Sequence, residues 1–185
     1  EIGYENVFDY SLGNPSVPCP QSFTDVMADM YATAEPVALH GYSPSLGIPS
    51  VRTAIPESLN RRFGMDYTAG HIFPTTGAAG ALSHAMRAVT KPGDEVITFA
   101  PYFPEYQPYV DGTGARLTVV PADTQNFQIN FEAFEGAMNP GVAAVLINTP
   151  NNPSGAVYSA ETLTRLAEFL RAKQVEYGHD IFLIS

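Results

Sequence analysis

Cysteine and basic residues are scarce in this sequence. Cys19 is the only cysteine, and nine lysine and arginine residues stand against 19 acidic ones. A single cysteine excludes an internal disulfide and fits a reducing compartment, so we expect a cytoplasmic protein. Nucleic-acid binding needs clustered basic residues, and these are scattered, so we expect no nucleic-acid partner. No apolar run approaches the roughly 18 residues of a membrane span, so we expect no membrane partner either.

What remains is an ordinary globular composition. The 185 residues are 45% hydrophobic and 15% charged, with a net charge of −10. This is enough chain for one domain with a sizeable core. The sequence begins at Glu1 rather than at a methionine, and it ends in the apolar stretch "DIFLIS", which is typical of a strand. We therefore interpret both ends as cut or undetermined.

The first third of the chain predicts turns and helices. Turn-forming residues dominate "VFDYSLGNPSVPCPQ", and a helix is predicted from about Ser22 to Thr33. A second helix is predicted over residues 48–63, where Pro49 suits the first turn and Gly64 the stop. Pro56 lies in its middle and is expected to kink or split it.

The rest of the chain alternates short apolar strands with helices. The strands are "EVITFA", "RLTVVPA", "AAVLIN" and "DIFLIS", and helical segments or turns connect them. This alternation predicts an α/β fold, a three-layer mostly parallel sheet with helices on both faces. Ligands of such sheets bind at the carboxyl ends of the strands, where the motifs below are expected.

The segment "TTGAAGAL", residues 75–82, joins an extended piece to a helix. Backbone N–H groups at a helix start bind phosphate, and Gly77, Ala78 and Ala79 leave room for one to approach. It is neither a dinucleotide fingerprint nor a P-loop. Small residues at a helix start are also typical of tight packing, so this motif alone leaves both interpretations open.

Two further motifs follow predicted strands. "APYFPEY" contains Phe103, an aromatic that can stack on a flat heteroaromatic ring or simply belong to the core. "NTPNNPSG" has two prolines that rigidify a turn, and Asn151 or Asn152 can present an amide donor at the sheet edge. A well-made turn without a ligand is the alternative for this segment.

The order and spacing of these motifs resemble the class I/II aminotransferases, which are fold-type I enzymes dependent on pyridoxal 5'-phosphate (PLP). The resemblance covers essentially the whole chain and is carried by "SLGNP", "HGYSPSLGIPSVR", "TTGAAGAL", "APYFPEY" and "NTPNNPSGAVYS". "NNPSG" and "GYSPSLGIPSVR" are the most specific of these. The resemblance implies an incomplete PLP-dependent transferase large domain over residues 36–185, preceded by an N-terminal segment over residues 1–35.

The resemblance also implies site residues. The amides of Ala78 and Ala79, after Gly77, would hold the PLP phosphate. Phe103 matches the aromatic that stacks on the pyridine ring. The asparagine that donates to the PLP 3-oxygen and helps hold the substrate carboxylate corresponds to Asn152. The remaining matches are Tyr42, whose counterpart reaches the phosphate of the other subunit in a homodimer, and Gly13, whose counterpart lies in a loop lining the substrate pocket.

The family's catalytic lysine and its aspartate against the pyridine nitrogen have no match in these 185 residues, so we expect no catalytic residue within this chain. Lys91 lies in "KPGD", a turn expected at the amino edge of the sheet, and Lys173 lies late in a helix with charged neighbours, which is typical of a solvated face. Neither is expected to reach the cofactor. No metal site is predicted.

The expected activity of the parent protein is transfer of an amino group from an amino acid to a 2-oxo acid. A PLP-dependent carbon–sulfur lyase, a non-enzymatic PLP-binding domain of a regulator and a remnant without activity remain open as alternatives. The sequence does not identify the amino-acid substrate.

Overall fold

The computed structural model describes residues 3, 6–8, 13, 17–123 and 125–185. The chain divides into two compact units, Glu1–Phe73 and Pro74–Ser185. The domain boundary that we expect after residue 35 concerns the organisation of the whole protein, and it stays a prediction.

The first unit contains helices α1 (Gln21–Thr33), α2 (Pro36–His40) and α3 (Pro49–Phe63), followed by a 3₁₀ turn, Ala69–His71. The sequence reasoning did not identify α2. The carboxylate of Glu35 accepts hydrogen bonds from the N–H groups of Val37 and Ala38, and Pro36 occupies the first turn. These are ordinary helix-start signals, but five residues are too few to show a helical period.

Helix α3 is a single uninterrupted element, so of the two expected effects of Pro56 the split does not occur, and the kink stays a prediction. A proline at this position removes one backbone hydrogen bond, and here the ring of Pro56 is buried. The Arg52 guanidinium also ties the helix to the following segment, donating to the carbonyls of Ile72 at 2.9 Å and Ala69 at 2.6 Å. Gly64 ends the helix at φ 65°, a left-handed conformation that favours glycine.

The second unit alternates helices and strands as the sequence predicts. Its elements in chain order are α4 (Gly77–Val89), β1 (Glu95–Phe99), α5 (Tyr106–Asp111), β2 (Arg116–Val120), α6 (Phe131–Ala137), β3 (Val142–Leu146), α7 (Ala160–Tyr177) and β4 (Phe182–Ile184).

All four strands are parallel, and their order in the sheet is β2-β1-β3-β4. The chain therefore moves outward from β1 to β2 and then crosses back to place β3 on the other side of β1. This reversal makes the carboxyl ends of β1 and β3 neighbours at a topological switch point, the place where open α/β sheets bind their ligands.

Each face of the sheet is covered by its own helices. Phe134 of α6 and Leu166 of α7 pack with Ile97 of β1 on one face. Met86 of α4 and Val110 of α5 pack on the other face, with a cluster that includes Val96, Leu117, Ala144 and Leu146. Adjacent side chains of β1 therefore pack on opposite faces of the sheet, because side chains alternate between the two faces along a strand. The predicted α/β fold with helices on both faces is confirmed.

A buried carboxylate joins three segments at the amino edge of the sheet. Glu95 of β1 is 5% exposed and accepts hydrogen bonds from Arg116 Nη2 at 2.6 Å, from Thr118 Oγ1 and from Asn139 Nδ2 at 3.2 Å. Arg116 and Thr118 belong to β2, and Asn139 precedes β3. The carboxylate therefore helps to set the relative placement of the three strands.

Candidate cofactor site

The three sequence motifs of the second unit all lie at the carboxyl edge of the sheet. The loop with Phe103 follows β1, and the loop with Asn152 follows β3, its direct neighbour. Helix α4 leads through the short turn 90–94 to the amino end of β1, and Leu82 and Met86 pack it against the sheet. Its first residues therefore lie at the opposite, carboxyl edge.

The start of α4 exposes backbone donors. Gly77, Ala78 and Ala79 are exposed, and Thr76 places no side-chain cap on the helix. Among the described residues, the N–H groups of Ala78 and Ala79 have no hydrogen-bond acceptor. Thr75 Oγ1 donates instead to the carbonyl of Gly77 at 3.0 Å, and Gly77 adopts φ 71°. Two free donors at a helix start suit an anion better than they suit a closely packed turn.

Phe103 is half-buried and takes part in the core, one of the two roles that its sequence context left open. Its ring packs against the core cluster under α4 and α5 and meets the Tyr106 ring edge-on, with centroids 5.8 Å apart and planes at 76°. Tyr106 in turn stacks on Tyr102 at 6.3 Å, and burial raises the pKa of Tyr106. The core thus fixes the Phe103 ring while part of its surface remains accessible.

The structure separates the two adjacent asparagines of the third motif. The side-chain oxygen of Asn151 accepts from the N–H and the hydroxyl of Ser154, at 3.1 and 2.9 Å, so it belongs to the turn itself. Asn152 is exposed, and its side-chain amide makes no hydrogen bond to any residue that the structure describes. The side-chain nitrogen of Asn151 also makes no hydrogen bond to a described residue, but its oxygen is held inside the turn, so Asn152 carries the more accessible of the two donors.

Gln128 fixes the chain directly after this turn, and the sequence reasoning missed it. Its Nε2 donates to the carbonyl of Val157 at 3.1 Å, and its Oε1 accepts from Ser159 N–H at 3.0 Å and Thr162 Oγ1 at 2.8 Å. Gln128 precedes α6, whereas its partners lie at the start of α7. Because roughly 30 residues separate the partners, no local pattern points to this contact.

Two predicted site residues belong to the first unit. The Tyr42 side chain is fully exposed, and its hydroxyl has no hydrogen-bond partner within the described part of the chain. Gly13 is also exposed, and a side chain added there would meet no atom within 4 Å. These observations agree with a role toward another molecule without testing that role.

The two lysines have different surroundings. Lys91 lies in the turn before β1, and it lines a cavity of about 460 Å³ with Asp94, Gly141 and His179 at the amino edge. Lys173 does not lie on a solvated face as expected, because its side chain is 16% exposed and packs over the rings of Phe169 and Tyr177. A hydrogen bond to Glu176 raises the pKa of the Lys173 amine.

Within the described ranges, no group of three His, Cys, Asp or Glu side chains is arranged to hold a metal ion. None of the described helices combines the length and the apolar character that crossing a membrane requires.

Comparison with known proteins decides the family. The family described as "Aminotransferase class I and II" matches residues 5–176. The chain belongs to this family. Its predicted resemblance to class I/II aminotransferases is thereby confirmed, and the fold agrees.

Three relatives illustrate this likeness. A probable aspartate/prephenate aminotransferase of Thermus aquaticus is 36% identical over 78% of this chain and 36% of its own. An aspartate aminotransferase of Thermotoga maritima is 32% identical over 91% of this chain and 44% of its own. A crystal structure of an aminotransferase from Eubacterium rectale is 48% identical, with a TM-score of 0.92 over 97% of this chain and 45% of that chain. The chain thus spans less than half the length of these relatives.

Proposed function

We propose that the protein containing this chain is a PLP-dependent aminotransferase that moves an amino group from an amino acid to a 2-oxo acid. The observation that carries the proposal is that three features suited to a ligand lie at one sheet edge. These are the free N–H groups of Ala78 and Ala79, the fixed ring of Phe103 and the unpaired amide of Asn152. The three relatives described above are named as aminotransferases, which supports the same reaction.

The chemistry of these residues fits the three parts of PLP. The start of α4 suits the dianionic phosphate, since two backbone donors and the positive helix end favour negative charge. Phe103 suits the flat pyridine ring, and Asn152 suits the 3-oxygen and the substrate carboxylate because both are acceptors. Gly13 is proposed to line the substrate pocket, where its lack of a side chain leaves room.

When bound, PLP supplies an electron sink for the carbanion formed at the substrate's α-carbon. The residues of this chain contribute binding and electrostatics. The amide of Asn152 donates to the 3-oxygen and so favours its ionised form, which lowers the pKa of that group. Ala78 and Ala79 anchor the phosphate at a point fixed by the sheet, and Phe103 restricts the tilt of the ring.

The lysine that binds PLP covalently is proposed to lie outside these 185 residues. Lys91 opens toward the amino edge of the sheet, away from the three motifs, and the Lys173 amine is engaged by Glu176 and two aromatic rings. We therefore expect the 185-residue chain with added PLP to form no 2-oxo acid product above the background of free PLP. Turnover well above that background would contradict the assignment.

The reaction itself is tested on the complete protein loaded with PLP. With aspartate as donor and 2-oxoglutarate as acceptor, an aminotransferase forms glutamate only when both substrates are present. A carbon–sulfur lyase would instead convert a sulfur-containing amino acid into a thiol, ammonia and a 2-oxo acid, with no 2-oxo acid added as acceptor. A PLP-binding domain of a regulator would bind the cofactor and show neither activity. A cytoplasmic location stays a prediction.

A homodimer with shared sites is part of the proposal. Tyr42 is fully exposed, and its hydroxyl is unpaired within the described residues, so it is free to donate to the PLP phosphate of a second subunit. Such a charge-assisted bond predicts that Tyr42→Phe weakens PLP retention by about 10- to 100-fold in the complete protein. Dialysis followed by absorbance measures this retention, and Tyr31→Phe, another exposed tyrosine of the first unit, is the matched control. Normal retention in Tyr42→Phe would remove the shared-site role.

A further inference from the structure

One hydrogen bond links the candidate donor Asn152 to the end of strand β3. The side-chain oxygen of Asn148 accepts the backbone N–H of Asn152 at 2.6 Å. Asn148 comes two residues after β3 ends at Leu146, and it is half-buried. The acceptor therefore lies on a residue close to the sheet, while the donor lies in the exposed part of the turn.

The position of Asn148 is itself determined by the sheet. Ile147 N–H donates to the carbonyl of Ile184 at 2.9 Å, which continues the pairing of β3 with β4 by one residue. Ile147 is 5% exposed and belongs to the core cluster under α6 and α7. Asn148 is thus the first residue beyond the fixed part of the strand.

The other hydrogen bonds of the turn do not hold residue 152. Asn151 N–H donates to the Ala156 carbonyl at 2.9 Å, and Gly155 N–H donates to the Asn151 carbonyl at 2.7 Å, so these bonds close the turn on itself. Thr149 Oγ1 accepts Tyr158 N–H at 2.9 Å and fixes the outgoing chain. Within the described residues, only Asn148 connects the backbone of Asn152 to the strand.

We propose that Asn148 is a positioning residue that aims the Asn152 amide at the 3-oxygen of PLP. This inference rests on the proposed function. An asparagine side chain has only two torsions, so the location of its amide follows closely from the backbone that carries it. A bond between that backbone and the strand end therefore reduces the freedom of the donor before the ligand binds, which is the usual role of residues that support a binding site.

Removal of this bond has a spectroscopic consequence. A hydrogen bond to an ionised group contributes more than one between neutral groups, so Asn152→Ala is expected to raise the pH midpoint of the bound cofactor's absorbance by about 1–2 units. Asn148→Ala leaves the amide in place but less well aimed. It should raise the same midpoint by about 0.5–1 unit.

The experiment uses the complete protein with PLP and four variants, Asn148→Ala, Asn152→Ala, the double variant and Thr149→Val. Thr149→Val is the matched control, because it removes a side-chain acceptor from the same turn without touching residue 152. We expect the control to keep the wild-type midpoint. The double variant should have the midpoint of Asn152→Ala alone, since a residue that acts through Asn152 has no effect once Asn152 is gone.

Additive shifts in the double variant would overturn the proposal. So would an unchanged midpoint in Asn148→Ala beside a shifted one in Asn152→Ala, or an equal shift in Thr149→Val, which would show a general effect of the turn. Amide hydrogen exchange of Asn152 N–H gives a second measurement that does not need the cofactor. Exchange should accelerate by about 2- to 10-fold in Asn148→Ala, and unchanged exchange would also overturn the proposal.

These outcomes distinguish the inference from the function on which it rests. If PLP does not bind, or if Asn152→Ala leaves the midpoint unchanged, the cofactor role of Asn152 fails and the aim toward the 3-oxygen fails with it. The exchange measurement still decides whether Asn148 holds residue 152, because it reports the hydrogen bond itself.

Discussion

The carboxylate of Glu95 provides a quantitative test of how the strands are held together. Its side chain is 7% exposed, whereas that of its ion-pair partner Arg116 is 73% exposed. The carboxylate also accepts hydrogen bonds from Thr118 and Asn139, which are half-buried. Glu95→Gln keeps the size of the side chain but replaces one acceptor oxygen with a donor.

The magnitudes of the two effects differ. A half-buried donor that loses its acceptor costs about 1–3 kcal/mol, whereas an ion pair with a solvent-exposed arginine contributes about 0–1 kcal/mol. Glu95→Gln should therefore lower the free energy of unfolding by about 1–3 kcal/mol. Arg116→Ala should lower it by less than about 1 kcal/mol, since the carboxylate keeps Thr118 and Asn139.

Urea unfolding followed by circular dichroism measures both variants. The change in free energy of unfolding is the shift in the urea midpoint multiplied by the common m-value, the dependence of that free energy on urea concentration. The double variant completes a mutant cycle, in which we expect a coupling below about 1 kcal/mol. If Arg116→Ala proved as costly as Glu95→Gln, the ion pair would be the dominant interaction, and the reasoning from burial would be refuted.

Two further predictions concern titration and backbone conformation. Burial raises the pKa of the Tyr158 phenol above its ordinary value of 10.0, so the folded state keeps this proton longer than the unfolded state does. The stability that this group contributes is fully present below pH 10 and is lost as the pH rises through the pKa of the folded state. In the wild type the urea midpoint should therefore fall above pH 10, and Tyr158→Phe should make that fall less steep. An equally steep fall in Tyr158→Phe would contradict this. Gly77→Ala should destabilise by about 1–2 kcal/mol because φ is 71°, although an added methyl group meets no atom within 4 Å. Gly136→Ala is the control, because this glycine lies inside α6 with equally open space, and it should stabilise by about 0.5–1 kcal/mol. If thermal unfolding showed that Gly77→Ala and Gly136→Ala change stability in the same direction, the conformational explanation would be refuted.

Local signals in the sequence predicted most of the elements correctly. Ser159 caps α7 by accepting from Thr162 N–H at 3.0 Å, and Gly178 ends that helix. These signals act within four residues, so they can be recognised without knowledge of the fold. At Pro56 the same local reasoning left a kink and a split open, and the helix is unbroken where Pro56 is buried and Arg52 contacts the following segment.

Side-chain environments were predicted less well than elements. Lys173 was expected to be solvated because its neighbours along the chain are charged, but its actual neighbours are aromatic rings on the same face of α7. Similarly, the sequence left Asn151 and Asn152 equivalent as donors until the family resemblance favoured Asn152. The two differ in accessibility, because Ser154 holds the Asn151 side chain inside the turn through its oxygen whereas Asn152 is exposed.

By itself, the sequence determined the family, the alternation of strands and helices and the residue types that suit a phosphate, a ring and a phenolate oxygen. These follow from short-range patterns and from motif order along the chain. Only the tertiary structure decided that β3 lies beside β1, which brings Phe103 and Asn152 to neighbouring strand ends. It also decided that Gln128 holds the start of α7. Strand order and long-range hydrogen bonds depend on which apolar faces pack together, and residues far apart in the chain determine that jointly.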